Sequence, residues 1–248
     1  MRCFIILPCF NEEKNIKPLV HSIDEVLKHQ IPYKIIAVND GSYDGTCEIL
    51  KDLSVDYPIK VFDHAHNMGL GAALRTGLLA VAEESFDEDF AVIMDSDNTH
   101  DPKQVLSMLF AAESADVVVG SRYVKGGVQL NVPAHRVVLS RTINFLVRRL
   151  YQLPLKDTTS GFRCFRVVFL KQLLNTFRNS IIESKGFAAS LELLLKAVRS
   201  GGVVTEVPIF LDYGKKGGPS KMRLFSTVIN YLLLLFKFRK LNSSKRFC

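Results

Sequence analysis

Short runs rich in β-branched residues alternate along the first half of the chain with longer amphipathic runs. The short runs predict strands at 3–7, 35–39, 60–62, 90–94 and 117–119. The longer runs predict helices at 12–28, 45–53, 71–84 and 102–112, each preceded by turn or capping residues. This alternation predicts an α/β fold with a mostly parallel sheet flanked by helices, and a ligand site beyond the carboxyl ends of the strands.

The second half of the chain has a less regular pattern. It predicts a glycine-containing loop at 125–132, a basic apolar helix at 136–151, a further helix at 187–200 and a strand at 203–209. No linker separates these segments from the first half, so they are expected to complete the same domain. The strongly apolar segment 224–238 fits an interfacial helix better than a spanning one, which needs about 20 apolar residues. A C-terminal helix packed on the protein's own core is the alternative.

Charge is distributed unevenly along the 248 residues. Lysine and arginine outnumber aspartate and glutamate by 32 to 25, and no acidic residue follows Asp212. The basic excess therefore lies at the C-terminal end. This pattern favours a local anionic partner such as a membrane surface over nucleic acid, with a solvated tail as the alternative. The apolar segment could also dock on a membrane-protein partner.

The five cysteines lack the paired spacing of a zinc or redox site. The N-terminal run is too short for a signal peptide and is better interpreted as a strand. We therefore expect a protein of the reducing cytoplasm that binds a membrane peripherally.

Two carboxylates follow the predicted strand 90–94. Asp95 and Asp97 are separated by Ser96, so their side chains are expected on one side of the chain at the carboxyl edge of the sheet. Oxygen ligands at such a position suit Mg²⁺ or Mn²⁺ bridged to a nucleotide diphosphate. A solvated turn is the alternative for an isolated Asp-x-Asp, and the preceding apolar strand favours the metal interpretation.

Two further strand ends carry candidate nucleotide-binding residues. Asp40 follows the strand 35–39, where its carboxylate could accept hydrogen bonds from ribose hydroxyls or a base N–H. Asp44, a few residues later, is better explained as a helix cap. In the first loop, Glu12 could contact a nucleobase. A helix cap at Asn11 is the simpler alternative for this loop.

Several stretches occur in the order typical of a known enzyme family. They are Ile6-Leu7-Pro8 with Asn11-Glu12, Asn39-Asp40-Gly41-Ser42, Asp95-Ser96-Asp97 with His100-Asp101-Pro102, Gly120-Ser121-Arg122-Tyr123, Arg136 with Ser140-Arg141, Thr159-Ser160-Gly161-Phe162-Arg163, Glu206-Val207-Pro208 and Ser220-Lys221. In them the chain resembles the family-two inverting glycosyltransferases of the GT-A fold. Within that family it is most similar to the dolichol-phosphate mannose synthases and related polyprenyl-phosphate glycosyltransferases.

The resemblance implies a GT-A (Rossmann-like) domain over residues 1–221, and the basic, apolar composition of 222–248 predicts a membrane-associating segment. The resemblance also implies roles for particular residues. Those of the nucleotide-sugar site would be Pro8, Asn11, Glu12, Asp40, Asp95, Ser96, Asp97 and Arg122, and those of the acceptor phosphate Arg136, Arg141, Ser160 and Lys221. Asp95, Asp97 and Thr99 would surround the metal, but relatives often carry Gln where this chain has Thr99, which puts direct coordination there in doubt.

The implied reaction moves a hexose from a GDP-mannose or UDP-glucose type donor to a dolichyl or undecaprenyl phosphate at the cytoplasmic membrane face. Asp97 and Arg122 would act directly at the reacting groups. Asp157 is the candidate general base or acceptor positioner, with a loop cap as its alternative. A hydroxyl acceptor on a glycan or small molecule, or a catalytically silent membrane adaptor, are the competing hypotheses.

Overall fold

The structure is a computed structural model that describes residues 1–218 and 224–242. Nine strands occur in these ranges: β1 (Cys3–Cys9), β2 (Tyr33–Asn39), β3 (Ile59–Asp63), β4 (Phe90–Ile93), β5 (Val117–Ser121), β6 (Val128–Leu130), β7 (Arg163–Arg166), β8 (Val204–Pro208) and β9 (Phe210–Asp212). Seven of them form the main sheet in the order β3-β2-β1-β4-β7-β5-β8. β6 and β9 form a separate parallel pair.

Eight helices accompany the strands within the described ranges: α1 (Ile16–Leu27), α2 (Thr46–Asp56), α3 (Leu70–Glu84), α4 (Gln104–Ala111), α5 (Ala134–Tyr151), α6 (Val167–Phe177), α7 (Ala188–Arg199) and α8 (Leu224–Asn242). Each strand from β1 to β4 is followed by one helix, which is the expected alternation. The expectation of an α/β fold with a mostly parallel sheet is confirmed.

The main sheet is buried on both faces, which explains why β1 and β4 at its centre are apolar throughout. On one face, α1, α2 and α4 cover a core that includes Ile5, Leu7 and Val92. On the other face, α3, α6 and α7 cover Phe4, Ile6 and the rest of a second core. The protein therefore has three layers, with the sheet in the middle.

Strand β7 is the one member of the main sheet that pairs in the antiparallel sense. It lies between β4 and β5, where Cys164 is opposite Val92 on one side and Val118 on the other. The sequence pattern did not predict this strand, nor β6, α6 and β9. All the strands and helices that the pattern did predict are present, with ends shifted by a few residues.

Helices α5, α7 and α8 form a third apolar cluster, separate from the two cores on the faces of the main sheet. Tyr231, Leu234 and Leu235 of α8 pack there with Ile143 of α5 and Leu191 of α7. The opposite side of α8 leaves large apolar residues exposed, namely Phe225, Ile229, Leu232, Leu233 and Phe236. Within the described ranges, α8 and every other helix fall short of the length and apolarity that crossing a bilayer requires.

Candidate active site

Three parallel strands end at the same edge of the main sheet, where the predicted site residues lie. Pro8 is near the end of β1, Asp40 directly follows β2, and Asp95 comes two residues after β4. The parallel pairing of β1 with β2 and with β4 fixes this arrangement. The loops beyond these strands line a cavity of about 870 Å³, here called the larger cavity.

Asp95 and Asp97 face this cavity together. Burial, and secondly the negative charge of Asp97, raise the pKa of Asp95 to about 7. Burial also opposes ionisation of Asp97, but the nearby Lys216 ammonium and hydrogen bonds from Lys216 and Thr99 outweigh it, so the pKa of Asp97 lies below its usual value. The Thr99 hydroxyl is 2.7 Å from Asp97 Oδ1. Thr99 thus orients Asp97.

The two aspartates suit a divalent cation that completes its coordination elsewhere. No group of three or more His, Cys, Asp or Glu side chains in the described part of the chain could hold a metal alone. Mg²⁺ typically takes one or two carboxylates and fills its other positions with water and substrate phosphate. Burial and the neighbouring Asp97 raise the pKa of Asp95, so a bound cation would favour its ionised form. The residues present therefore fit such an ion.

Asp40 holds one wall of the larger cavity in place through hydrogen bonds. Its carboxylate accepts hydrogen bonds from the backbone N–H groups of Met68 and Gly69, at 2.9 and 2.8 Å. His64 lies 2.7 Å from the same carboxylate through Nδ1 and contacts Thr76 through Nε2. Asp40 therefore fixes the loop before α3 while its carboxylate remains part of the cavity wall.

The first loop contributes both cavity-lining and supporting residues. Pro8, Glu12 and Ser96 line the larger cavity, whereas Asn11 lies just outside its lining. The hydroxyl of Ser96 donates to the Pro8 carbonyl at 2.9 Å and so ties the ends of β1 and β4 together. Asn11 has a left-handed backbone with φ 54°, which its side chain tolerates well.

Arg122 and Asp157 form a two-point ion pair next to this edge of the sheet. Arg122 Nε and NH2 donate to Asp157 Oδ2 and Oδ1 at 2.7 and 2.8 Å. The Arg122 N–H and the Thr159 hydroxyl also donate to this carboxylate. Burial disfavours its charge, yet Arg122 outweighs burial and keeps the pKa of Asp157 below its usual value.

The Asp157 carboxylate is fully buried and lines neither the larger cavity nor the smaller one described below. Its lone pairs are directed at Arg122 and Thr159, so the geometry favours orientation of Arg122 over proton abstraction from a ligand.

A second, smaller cavity of about 110 Å³ adjoins the larger one. Arg122 and Arg136 bring positive charge to it, Ser160 lies on its wall, and Val132, Leu139 and Tyr231 make part of that wall apolar. The two cavities share four lining residues, Leu70, Asp95, Phe187 and Tyr213. A cationic pocket with apolar walls thus meets the carboxylate pocket at Asp95.

One predicted phosphate-binding residue, Arg141, is not brought to these cavities. Arg141 is exposed on α5, with its guanidinium 5.9 Å from the Tyr123 ring centroid, and it lines neither cavity. Lys221 lies outside the described residues. The remaining predicted residues lie within this region, although their roles remain predictions.

Sequence reasoning missed Lys216 and Tyr213, which lie on a short segment after β9 and line the larger cavity. Lys216 Nζ is 2.5 Å from Asp97 Oδ2, and Arg136 donates a hydrogen bond to the Tyr213 hydroxyl. The backbone of Gly217 donates to Asn15 in the first loop at 2.9 Å. The run Gly214-Lys215-Lys216-Gly217-Gly218 was a usable signal, since glycines flank a basic pair there.

Comparison with known proteins agrees with this arrangement. Residues 4–174 match the family model described as glycosyl transferase family 2. Polyprenol monophosphomannose synthase from Mycolicibacterium smegmatis is 33% identical over 227 residues, covering 89% of this chain and 81% of the relative. Dolichol-phosphate mannosyltransferase from Pyrococcus furiosus is 32% identical over 245 residues, covering 97% of this chain and 64% of the relative.

Undecaprenyl-phosphate mannosyltransferase from Micrococcus luteus is a third relative, 30% identical over 224 residues, with 90% of this chain and 88% of the relative covered. These matches confirm the resemblance drawn from the motifs.

Solved structures show the fold at lower identity. Glucosyl-3-phosphoglycerate synthase from Mycobacterium tuberculosis, in complex with Mn²⁺, UDP-glucose and phosphoglyceric acid, gives a TM-score of 0.70 at 18% identity, covering 96% of this chain and 80% of that one. Its complex with Mg²⁺ and UDP gives 0.64 at 19% identity, covering 95% and 79%. The predicted GT-A fold is confirmed. The family match spans more than half of the chain, and it shows that the protein is a glycosyltransferase belonging to glycosyl transferase family 2.

Proposed function

We propose that this enzyme transfers a hexose, with inversion, from a nucleoside-diphosphate sugar to a polyprenyl phosphate at a membrane surface. One observation carries the proposal: a carboxylate-lined cavity and a cationic, partly apolar cavity meet at Asp95. The first suits a metal-bound diphosphate, and the second suits a phosphate with a hydrocarbon chain. The names of the three relatives favour mannose as the hexose and a dolichyl or undecaprenyl chain as the acceptor.

On the donor side, Asp95 and Asp97 would hold Mg²⁺ or Mn²⁺, with Thr99 orienting Asp97. The cation would neutralise the charge that develops on the departing nucleoside diphosphate. Pro8, Glu12 and Asp40 would line the nucleoside pocket, with Asn11 and Ser96 supporting that wall. A protein with the same fold has been solved in complex with Mn²⁺ and UDP, which is in keeping with a metal-bound nucleotide donor.

On the acceptor side, Arg122 and Arg136 would bind the phosphate, because a planar guanidinium suits two-point contacts with phosphate oxygens. Ser160 would add a hydroxyl on the same wall. Arg141 and Lys221 remain candidates for guiding the acceptor toward the cavity. A phosphate acceptor is already anionic, so it needs placement more than deprotonation. Asp157 would therefore act by orienting Arg122.

Membrane contact would come from α5 and α8. Val138 and Phe145 of α5 are 64% and 65% exposed, and Phe225 of α8 is 81% exposed. Exposed apolar side chains beside arginines suit the interface of an anionic bilayer. We propose the cytoplasmic face as the location, with 1–221 as the catalytic domain and 222–248 as the membrane-associating segment. The same segment could also contact a membrane-protein partner.

Product formation tests this function. The full chain is incubated with Mn²⁺, GDP-mannose or UDP-glucose, and vesicles with or without a polyprenyl phosphate, while release of nucleoside diphosphate is measured. We expect release that depends on the lipid phosphate and is lost in Asp97→Ala. Asp52→Ala, which changes an exposed aspartate on α2, is the matched control. Release that ignores the lipid would overturn the proposed acceptor.

A hydroxyl acceptor is the second candidate, and the geometry supports it less well. Such an acceptor needs a general base within hydrogen-bond reach. Among the described residues, the carboxylate that lines the smaller cavity is Asp95, which we assign to the metal.

A further inference from the structure

Tyr43 is an exposed aromatic residue at the rim of the larger cavity. It lies in the loop between β2 and α2, and its side chain is 86% exposed although it helps to line the cavity. Neither the fold nor the proposed chemistry uses it. A tyrosine offers a large, flat contact surface at a low cost in conformational entropy, so its position at a cavity rim favours a role in binding.

The backbone that carries Tyr43 is fixed by reciprocal hydrogen bonds with the first loop. The Tyr43 N–H donates to Asn11 Oδ1 at 3.0 Å, and the Asn11 N–H donates to Ser42 Oγ at 2.9 Å. The Gly45 N–H donates to Glu13 Oε2 at 3.0 Å. The ring therefore projects from a preorganised support, which lowers the cost of ordering it when a ligand binds.

The surroundings of the ring indicate the shape and chemistry of the ligand. Tyr43 meets Phe10 edge to face, with ring centroids 5.8 Å apart and an angle of 82° between the rings. Deeper in the same cavity lie the carboxylates of Glu12 and Asp40, which accept N–H groups. A flat heterocycle with N–H groups on its edge fits these surroundings. Its face can stack on an aromatic ring while its N–H groups donate to the carboxylates.

We propose that the Tyr43 ring stacks on the nucleobase of the donor. This inference rests on the proposed function, because it assumes that a nucleoside diphosphate occupies the larger cavity. It adds a residue that contacts the base, on the side of the cavity away from the metal carboxylates. The contact tolerates either a purine or a pyrimidine, since every base has a π-face.

Calorimetric titration of the full chain tests the contact with three probes: GDP, UDP and inorganic pyrophosphate, each with Mn²⁺. Pyrophosphate keeps the metal-binding group but has no base. We expect Tyr43→Ala to weaken binding of the preferred nucleotide about tenfold, as loss of one base-stacking contact does. Pyrophosphate affinity should be unchanged, and Tyr43→Phe should bind nucleotide nearly as the parent does.

Phe110→Ala is the matched control, because Phe110 is 77% exposed on α4 and lines neither the larger nor the smaller cavity. Unchanged nucleotide affinity in Tyr43→Ala would overturn the stacking contact while leaving the proposed function intact. Equal weakening of nucleotide and pyrophosphate would also overturn it, since the variant would then disturb the whole cavity. If the parent protein binds neither nucleotide, the proposed function fails and the contact fails with it.

Discussion

Lys216 Nζ lies 2.5 Å from Asp97 Oδ2, and both side chains are nearly buried, with 12% and 11% of their surface exposed. The pair places a cation of the protein beside one of the two carboxylates that we assign to the metal. Lys216 also approaches the Tyr213 ring, 5.5 Å from its centroid. The segment that carries Tyr213 and Lys216 is therefore held next to the proposed metal position by an ion pair.

We expect Lys216→Met to make the metal-free protein less stable and more responsive to Mn²⁺. Removal of the ammonium leaves Asp97 buried beside Asp95 without its partner, which should lower the free energy of unfolding by about 2 kcal/mol at neutral pH. Thermal unfolding with and without Mn²⁺ measures both effects. Lys215→Met, at the exposed neighbouring position, is the control. Identical behaviour of the two variants would contradict the assignment.

The Arg122–Asp157 pair predicts a specific dependence of stability on pH. The pKa of Asp157 is lower in the folded protein than its usual 3.8, so the folded state favours the ionised form. Its stabilising contribution is present above pH 4 and is lost as the pH falls through the folded-state pKa. Urea unfolding of Asp157→Asn should therefore show a deficit at pH 7 that shrinks below pH 4. Asp52→Asn should show no such trend, and a deficit independent of pH would argue against the pair.

Gly41→Ala should destabilise the wall of the larger cavity. Gly41 has φ +66°, and a Cβ there would lie 2.3 Å from the backbone carbon of His66. Either the strained backbone or the loop at 64–69 must move, at a cost of about 2–3 kcal/mol. Chemical denaturation measures this loss. Gly218→Ala is the control because no atom of the described residues lies within 4 Å of its added Cβ, and equal stability of the two variants would show that the loop is not held as described.

Glu192 of α7 should matter for stability. It is fully buried, with Oε1 2.5 Å from Lys196 Nζ, and Oε2 accepts from the backbone N–H groups of Glu183 and Ser184. Glu192→Ala would leave a buried ammonium and two N–H groups without this acceptor, so we expect a loss of about 3 kcal/mol. Denaturant unfolding provides the measurement, and Glu113→Ala, at an exposed position, provides the comparison. A loss below that of the control variant would rule out this account.

The first half of the fold could be predicted because each strand there is a short apolar run followed by turn residues and an amphipathic helix. The same rule placed Asp40, Asp95 and Asp97 at one edge, since parallel strands bring their carboxyl ends together. Strand β7 could not be predicted in this way. Its four residues, Arg163–Arg166, include two arginines, and its place in the sheet depends on pairing with distant strands.

The partners of the site residues were also beyond the sequence pattern. Nothing local indicates that Lys216 pairs with Asp97, 119 positions away, or that Arg122 pairs with Asp157, 35 positions away. Such pairs depend on tertiary packing, which periodicity does not report. Asp157 is an example. Its residue type allowed either a general base or an acceptor positioner, and its buried ion pair with Arg122 favours a positioning role.

The position of β7 also bears on how the chain folds during synthesis. β7 lies between β4 and β5, but it follows both of them in the chain. While the nascent chain ends before residue 163, β4 and β5 each present an unpaired edge in what becomes the middle of the sheet. Open edges of apolar strands are templates for pairing with other chains. Fragments that stop before β7 should therefore self-associate, and the smaller cavity, which Ser160 and Phe187 help to line, should form only after the second half of the chain has emerged.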